Sequence, residues 1–101
     1  MIFLVLDKDA CLYIFDSVDA AQRDLEAIDI ENGEYEFCDD SGQPYVGELV
    51  EARGGFRIVP RGSANASLPL SFISRTRHFW PKNTPFKTLD EARAYFSRTR
   101  T

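Results

Sequence analysis

The sequence predicts a single α+β domain over residues 1–101, with a mainly antiparallel sheet of five to six strands and two helices. Three observations support this fold class: short β-rich apolar runs bounded by turn residues, two segments with helical spacing behind N-cap residues, and the length. One hundred and one residues suffice for one hydrophobic core and are too few for two. The apolar share of 44% and the aromatic share of 13% are typical of a chain that folds.

The first two strands are expected to form a hairpin. Residues 2–6 are a continuous apolar run, which indicates a strand that is buried on both faces. The turn residues Asp7-Lys8-Asp9 follow, and Cys11–Phe15 is the second β-rich run. Because the connection is so short, we expect the two strands to be antiparallel neighbours.

A helix is predicted over residues 17–29. Ser17 is the expected N-cap, because its hydroxyl can accept a hydrogen bond from the first helical turn. Asn32-Gly33 ends the helical pattern. One apolar stripe recurs at i, i+3, i+7 and i+10 and consists of Val18, Ala21, Leu25 and Ile28.

The middle of the chain predicts a three-stranded antiparallel meander. Its strands are residues 34–38, 45–52 and 56–59, separated by turn clusters rich in Asp, Ser and Gly. Residues 60–67 are small and polar, which indicates a loop. Residues 68–73 are expected to be a short edge segment, because Pro69 cannot donate a hydrogen bond within a central ladder.

The second helix is predicted over residues 88–98. Thr88 and Glu91 have the spacing of a capping box, in which each side chain binds the other's backbone N–H. Its apolar side consists of Leu89, Ala92, Tyr95 and Phe96. The core of the whole domain is expected to contain Ile2, Leu4, Leu6, Leu12, Ile14, Val18, Leu25, Ile28, Phe37, Val50, Ile58, Leu89 and Phe96.

Charge is sorted along the chain. Residues 1–51 contain 14 acidic and 2 basic residues, and residues 52–101 contain 2 acidic and 10 basic residues, so the halves carry −12 and +8 and sum to the net −4. Residues 24–40 hold eight carboxylates without one Lys or Arg. Like charges at this density repel one another, and a cationic partner relieves that repulsion.

We therefore predict a non-enzymatic binding protein that presents an acidic surface to a basic protein partner. The predicted partner-binding residues are Asp29, Glu31, Glu34, Tyr35, Glu36, Asp39 and Asp40, with Tyr35 as an aromatic anchor if it is exposed. The alternative is a solvated acidic face that the basic half neutralises within the fold. In that case the carboxylates belong to an uncharacterised structural or interaction domain.

A second hypothesis is a nucleic-acid-binding module in the C-terminal half. Its residues would be Arg53, Arg57, Arg75, Arg77 and Trp80, with cations for phosphates and the aromatic ring for base stacking. The sequence pI of about 4.9 disfavours this reading, because nucleic-acid affinity depends on net cationic surface.

A third hypothesis is a small enzyme that uses Asp7, Asp9 or His78, the only histidine. The sequence carries no metal-ligand spacing and no activated nucleophile, so we expect no metal, no cofactor and no catalytic residue. Cys11 and Cys38 are expected to be reduced, buried thiols in a cytoplasmic protein, because no export signal or membrane-spanning run accompanies them. The oligomeric state is open.

Residues 25–42, LEAIDIENGEYEFCDDSG, resemble an "EAIDVENGEYE" segment that recurs in small, mostly uncharacterised bacterial proteins. Some members of that group are associated with immunity against polymorphic toxins. The resemblance implies a single-domain α+β protein without a cofactor, and it transfers no catalytic motif. Together with the acidic stretch, it makes an immunity-type inhibitor that covers a toxin's cationic active site our leading expectation.

Overall fold

The computed structural model describes residues 2–50, 55–81 and 85–98, and it confirms the α+β class. A six-stranded sheet has the order β5-β4-β3-β1-β2-β6, and all neighbours are antiparallel except β2 and β6. In chain order the elements are β1 Phe3–Asp7, β2 Cys11–Phe15, α1 Val18–Asp24, α2 Ala27–Glu31, β3 Tyr35–Asp39, β4 Pro44–Val50, β5 Gly55–Pro60, α3 Leu68–Arg75, β6 His78–Pro81 and α4 Leu89–Arg98.

Strand β1 lies between β2 and β3, near the middle of the sheet. Its residues alternate between two buried environments, because Phe3 and Val5 face one side and Leu4 and Leu6 face the other. This arrangement confirms the reading of a continuous apolar run as a strand buried on both faces. The predicted β1–β2 hairpin and the β3–β4–β5 meander are confirmed as well.

Helices cover both faces of the sheet, so the domain has two core clusters. On one face α3 contributes Phe72 and Ile73, and α4 contributes Ala92 and Phe96. Together with Phe86, which precedes α4, they join the cluster that contains Leu4, Leu6, Leu12, Ile14 and Cys38. On the other face α1 contributes Ala20 and Ala21 to the cluster that contains Phe3, Val5, Phe15, Phe37 and Ile58. We call these the α3–α4 face and the α1–α2 face.

The helix predicted over residues 17–29 is two short helices. Ser17 is the N-cap as predicted, and its Oγ accepts a hydrogen bond of 3.0 Å from the Ala20 N–H. Leu25 then adopts an extended conformation and ends α1, and α2 begins at Ala27. The break lets the chain follow the twisted sheet, so that Ile30 of α2 packs directly on the backbone of β4 at Gly47.

The predicted stop at Asn32-Gly33 is confirmed by its geometry. Gly33 has a positive φ of 66°, a conformation that favours glycine. Its N–H donates to the Ile30 carbonyl at 3.0 Å, and the Glu34 N–H donates to the Asp29 carbonyl at 3.1 Å. This Schellman arrangement satisfies the last carbonyls of α2 and turns the chain into β3.

The segment at residues 68–73 was predicted to be an edge strand, which is wrong, because it lies in helix α3. Pro69 is compatible with a helix when it occupies the first turn, where no intrahelical donor is needed. Leu68, Phe72 and Ile73 then lie on one helical face and pack on the sheet. Strand β6 was not predicted, and it pairs parallel with β2 over four residues.

Helix α4 has the predicted start. The Glu91 N–H donates to Thr88 Oγ1 at 3.2 Å, and Glu91 Oε1 accepts hydrogen bonds from the N–H groups of Thr88 and Lys87. The capping box is therefore confirmed. Two helices were predicted, and the described residues form four.

Most of the predicted core is confirmed, with one error. Val50 is wrong, because 40% of it is exposed near the end of β4, and the side chain of Ile28 lies outside the described part of the chain. The buried members are Leu4, Leu6, Leu12, Ile14, Phe37, Ile58 and Phe96, and the half-buried ones are Ile2, Val18, Leu25 and Leu89.

Strands β4 and β5 form a ribbon that separates from the rest of the sheet. The β3–β4 ladder covers only Phe37↔Tyr45 and Cys38↔Pro44, whereas β4 and β5 pair over six positions. The Gln22 amide of α1 secures this ribbon: its Nε2 donates to the Phe56 carbonyl at 3.1 Å, and its Oε1 accepts from the Ile58 N–H at 3.1 Å. Gln22 thus occupies the outer edge of β5 as a neighbouring strand would.

Candidate functional site

The seven predicted partner-binding residues do not form one surface. Asp29, Glu31, Glu34 and Tyr35 lie together around the end of α2 and the start of β3. Glu36 points to the α3–α4 face, and Asp39 and Asp40 lie at the far turn, about 13 and 17 Å along the chain from Tyr35. The strand's alternation and length separate residues that are contiguous in sequence.

Two of the carboxylates near the start of β3 have partners. The Tyr35 hydroxyl donates to Asp29 Oδ2 at 3.2 Å, and Lys8 Nζ lies 3.6 Å from Glu34 Oε1. Tyr35 is half-buried. Burial, followed by the Asp29 carboxylate, raises the pKa of Tyr35, so the hydroxyl stays a hydrogen-bond donor near neutral pH. Tyr35 therefore positions Asp29 more than it projects as an anchor.

Glu36 and Asp39 are committed to the fold. Glu36 receives two hydrogen bonds from the Arg75 guanidinium, at 2.8 and 3.3 Å. Asp39 is only 8% exposed. Its Oδ1 accepts from the Ser41 N–H, the Ser41 hydroxyl and the Gln43 N–H, and its Oδ2 accepts from the Tyr45 hydroxyl. Both carboxylates are therefore hydrogen-bonded to groups of the same chain, and we do not count them as part of an open acidic surface.

An open acidic surface exists on the outer side of α1 and α2. Asp19, Glu26 and Glu31 are exposed there, and none of the three forms an ion pair with a described Lys or Arg. We call these three residues the α1–α2 acidic surface, and Asp29 and Glu34 border it. Asp19 and Glu26 were missing from the predicted site, although both lie within the acidic half of the chain.

The residues of the nucleic-acid hypothesis lie on opposite edges of the sheet. Arg57 is on β5 and forms an ion pair with Glu48 at 3.5 Å, whereas Trp80 is on β6. Five strand spacings separate these edges, about 24 Å. Arg75 and Arg77 line a shallow concavity with Lys8 and Asp9 at the β6 end. Arg53 lies outside the described residues.

The residues of the enzyme hypothesis have structural contacts. Asp7 Oδ1 accepts hydrogen bonds of 2.9 Å from the N–H groups of Asp9 and Cys11, so it stabilises the β1–β2 turn. His78 is exposed at the start of β6, where it is the register partner of Cys11. Burial, followed by the charges of Asp7 and other nearby groups, raises the pKa of the Cys11 thiol. A raised thiol pKa is the opposite of nucleophile activation.

Both cysteines are free thiols. Cys11 is on β2 and faces the α1–α2 side, whereas Cys38 is on β3 and belongs to the cluster on the α3–α4 face. Strand β1 lies between them. Among the described residues, no group of three or more His, Cys, Asp or Glu side chains is placed to hold a metal ion.

On the α1–α2 face the sheet is exposed at Trp80, on the β6 edge. The helices of this face pack on β1, β2, β4 and β5, and Trp80 on β6 is 55% exposed. Register partners on this face run from Trp80 through Tyr13, Val5 and Phe37 to Tyr45. The outer end of this row is therefore the exposed Trp80 beside the half-buried Tyr13, which we call the aromatic pair. The sequence predicted Tyr13 in the second strand and Trp80 among the candidate nucleic-acid-binding residues.

The Tyr13 hydroxyl connects the aromatic pair to a carboxylate. It donates to Asp7 Oδ2 at 3.4 Å. Burial, followed by the Asp7 charge, raises the pKa of Tyr13 to about 12, so the phenol remains protonated near neutral pH. Asp7 is in turn the register partner of Tyr35, which binds Asp29. The aromatic pair and the border of the α1–α2 acidic surface are thus linked through Asp7 and Tyr35.

A small cleft lies beside the point where β3 and β4 separate. Its volume is about 190 Å³, and it is lined by Ile30, Gly33, Tyr35, Phe37, Tyr45, Val46 and Gly47. Its two phenols already bind Asp29 and Asp39. Within the described residues no buried side-chain nitrogen or oxygen lacks a hydrogen-bond partner, so the cleft does not specify the chemistry of a ligand.

No protein family, curated protein or solved structure matches this chain. None of the helices in residues 2–50, 55–81 and 85–98 is both long and apolar enough to cross a membrane.

Proposed function

We propose that this protein is a non-enzymatic binding protein that presents the α1–α2 acidic surface to a basic protein partner. The observation that carries the proposal is that Asp19, Glu26 and Glu31 are exposed without an ion-pair partner among the described residues. The basic half of the chain reaches other carboxylates instead, namely Glu36 and Glu48.

Several carboxylates on one side of a small domain act together at a distance. Their summed potential attracts a cationic partner and accelerates association, and salt screens the effect over about 8 Å at physiological ionic strength. Asp29 and Glu34 add to the same potential from the border, although each also has an internal contact. The partner-binding residues that support the proposal are therefore Asp29, Glu31 and Glu34 from the predicted set, with Asp19 and Glu26 added.

The concrete form of the proposal is an immunity-type inhibitor. The partner is then a toxin whose active site is cationic, and the acidic surface covers that site. We place this complex in the cytoplasm, where Cys11 and Cys38 remain reduced. A toxin gene immediately upstream of the gene for this protein would support the immunity role, and its absence would favour another basic partner.

Two charge variants test the proposal with equal changes in net charge. The test variant is Asp19→Asn with Glu26→Gln and Glu31→Gln. The matched control is Glu36→Gln with Asp40→Asn and Asp90→Asn, which removes three carboxylates elsewhere. Each bait is used to capture partners from an extract of the source cell, and the captured protein is then purified for kinetic measurements across a salt series.

The proposal expects a basic partner whose association rate falls steeply as salt is raised. The test variant should reduce the association rate about tenfold or more at low salt, and the control variant should change it much less. Equal effects of the two variants, or a salt-independent association rate, would overturn the proposal. Retention of RNA or single-stranded DNA instead of protein would favour the nucleic-acid hypothesis.

A further inference from the structure

We propose that Trp80 and Tyr13 form the seat for an arginine side chain of the basic partner. This inference rests on the proposed function, and it adds the residue chemistry that the acidic surface alone does not specify. The seat lies on the α1–α2 face at the β6 edge of the sheet, where Trp80 is 55% exposed.

The aromatic pair places the exposed Trp80 beside the half-buried Tyr13. Trp80 and Tyr13 are register partners on adjacent parallel strands, so their side chains project from the same face of the sheet about 4.8 Å apart at the backbone. Trp80 is exposed, so its indole ring can offer its π-face to a planar cation.

One carboxylate contacts this aromatic pair, and a second lies in the adjoining turn. Asp7 accepts the Tyr13 hydroxyl through Oδ2, and that oxygen has lone pairs left for a second donor. Asp9 is exposed in the adjoining turn, and Asp29 follows through Tyr35. Charge complementarity therefore favours a cation over a neutral apolar group as the occupant.

Among the described residues, the basic groups in the adjoining turn and at the start of β6 are Lys8, Arg77 and His78. Lys8 is committed to Glu34, and Arg77 lines the concavity beside Asp9. His78 is exposed two residues before Trp80 on β6, on the same side of the strand. Among the described residues, no cationic group lies over the Trp80 ring.

On its other face the molecule shows how one arginine can use an aromatic ring and a carboxylate together. Arg75 lies over the Phe72 ring at 5.3 Å and binds Glu36 with two hydrogen bonds. A guanidinium can stack on an aromatic ring and pair with a carboxylate at the same time, whereas an ammonium offers only a point charge. Trp80 offers an aromatic face, and Asp7 offers a carboxylate on the other side of Tyr13, so we assign the partner's side chain as arginine and not lysine.

Peptide binding tests this assignment without the natural partner. The probes are capped tri-arginine, tri-lysine of equal charge, and tri-citrulline, which keeps the shape of arginine without the charge. Trp80 is the only tryptophan, so its fluorescence reports binding to the wild-type protein, and calorimetry reports binding to variants that lack it. The variants are Trp80→Ala, Trp80→Phe, and Leu49→Ala as a control for an exposed apolar residue on β4.

We expect tri-arginine to bind more tightly than tri-lysine and to quench Trp80, and tri-citrulline not to bind. Trp80→Ala should weaken tri-arginine about two- to fivefold and remove the preference over tri-lysine. Trp80→Phe should restore part of that preference, because it keeps an aromatic face, and Leu49→Ala should change nothing. Circular dichroism checks that each variant remains folded.

The outcomes separate the two proposals. If both cationic peptides bind equally and Trp80→Ala changes neither, while the triple variant of the α1–α2 acidic surface weakens both, the arginine seat is wrong and the acidic docking function stands. If neither cationic peptide binds at low salt, both proposals fail. Binding of tri-citrulline, or quenching of Trp80 only by a single-stranded oligonucleotide, would also overturn the arginine seat.

Discussion

The two faces of the sheet are covered to different extents. On the α3–α4 face, two helices of eight and ten residues place Phe72 and Phe96 over the aliphatic residues of β1 and β2. On the α1–α2 face, helices of seven and five residues cover one part of the sheet and leave Trp80 exposed. Both faces bury phenylalanine side chains, but the α1–α2 face also leaves a tryptophan exposed at its edge.

This difference separates the residues that stabilise the fold from those that are available to bind a partner. Residues of the α3–α4 face meet each other and the sheet, so their contacts are already made in the isolated chain. The α1–α2 acidic surface and Trp80 have contacts still to make, and groups of this kind are the ones a partner can use. Substitutions on the two faces should therefore affect different measurements.

The largest expected difference in the free energy of unfolding is between substitutions of two aromatic residues on opposite faces. Phe72→Ala should lower the free energy of unfolding by about 3 to 5 kcal/mol, because it leaves a cavity in the α3–α4 core. Trp80→Ala removes a larger side chain that is mostly exposed, and its cost should stay within about 1 kcal/mol. Urea denaturation followed by circular dichroism measures both. Similar losses in the two variants would contradict the comparison.

Asp39 gives the second largest effect, because a carboxylate from the predicted acidic site belongs to the fold. Asp39→Ala leaves the N–H groups of Ser41 and Gln43 and the Tyr45 hydroxyl without their acceptor. We expect a loss of about 2 to 3 kcal/mol. Asp40→Ala, the neighbouring substitution, should cost about 0.5 kcal/mol or less. Denaturation curves that show equal stability for the two variants would mean that the Asp39 contacts do not matter.

A third prediction concerns the β5 edge, which is protected by one side chain. Gln22→Ala removes both hydrogen bonds to β5 and should lower stability by about 1 to 2 kcal/mol. Hydrogen exchange at the Ile58 N–H should become faster, because that group loses its acceptor. Arg23→Ala, one residue along α1, serves as the control. If the hydrogen-exchange rate of the Ile58 N–H were unchanged in Gln22→Ala, the hydrogen bonds between Gln22 and β5 would not be formed in solution.

Local patterns in the sequence predicted the parts of the fold that depend on local chemistry. Ser17, Asn32-Gly33, and Thr88 with Glu91 act within a single turn, so their caps and stops could be read directly. Helix α3 was missed because Pro69 was read only as a strand breaker, although its place at the start of an apolar 3.6-residue pattern also fits a helix. Strand β6 depends on a parallel partner that is remote in sequence.

The candidate site was harder to predict than the fold, because charge composition does not determine contacts. The carboxylates of residues 24–40 look equivalent in the sequence. In the fold, however, Glu36 of β3 lies on the α3–α4 face and pairs with Arg75, whereas Glu31 of α2 is exposed to solvent. The register of six strands also decides that Trp80 meets Tyr13 and that Arg57 lies at the other edge. Such pairings follow from long-range topology, which a single sequence does not display.

The smallest expected effect distinguishes a paired carboxylate from an unpaired one. Glu36→Gln removes a two-bond ion pair with Arg75 and should destabilise the protein by about 0.2 to 1 kcal/mol, less at high salt. Glu31→Gln removes no ion pair within the described residues and relieves repulsion among neighbouring carboxylates, so it should be neutral or slightly stabilising. Thermal unfolding at low and high salt compares the two. If Glu31→Gln were instead as destabilising as Glu36→Gln, Glu31 would have an internal partner, and the acidic docking function would lose one of the three residues that carry it.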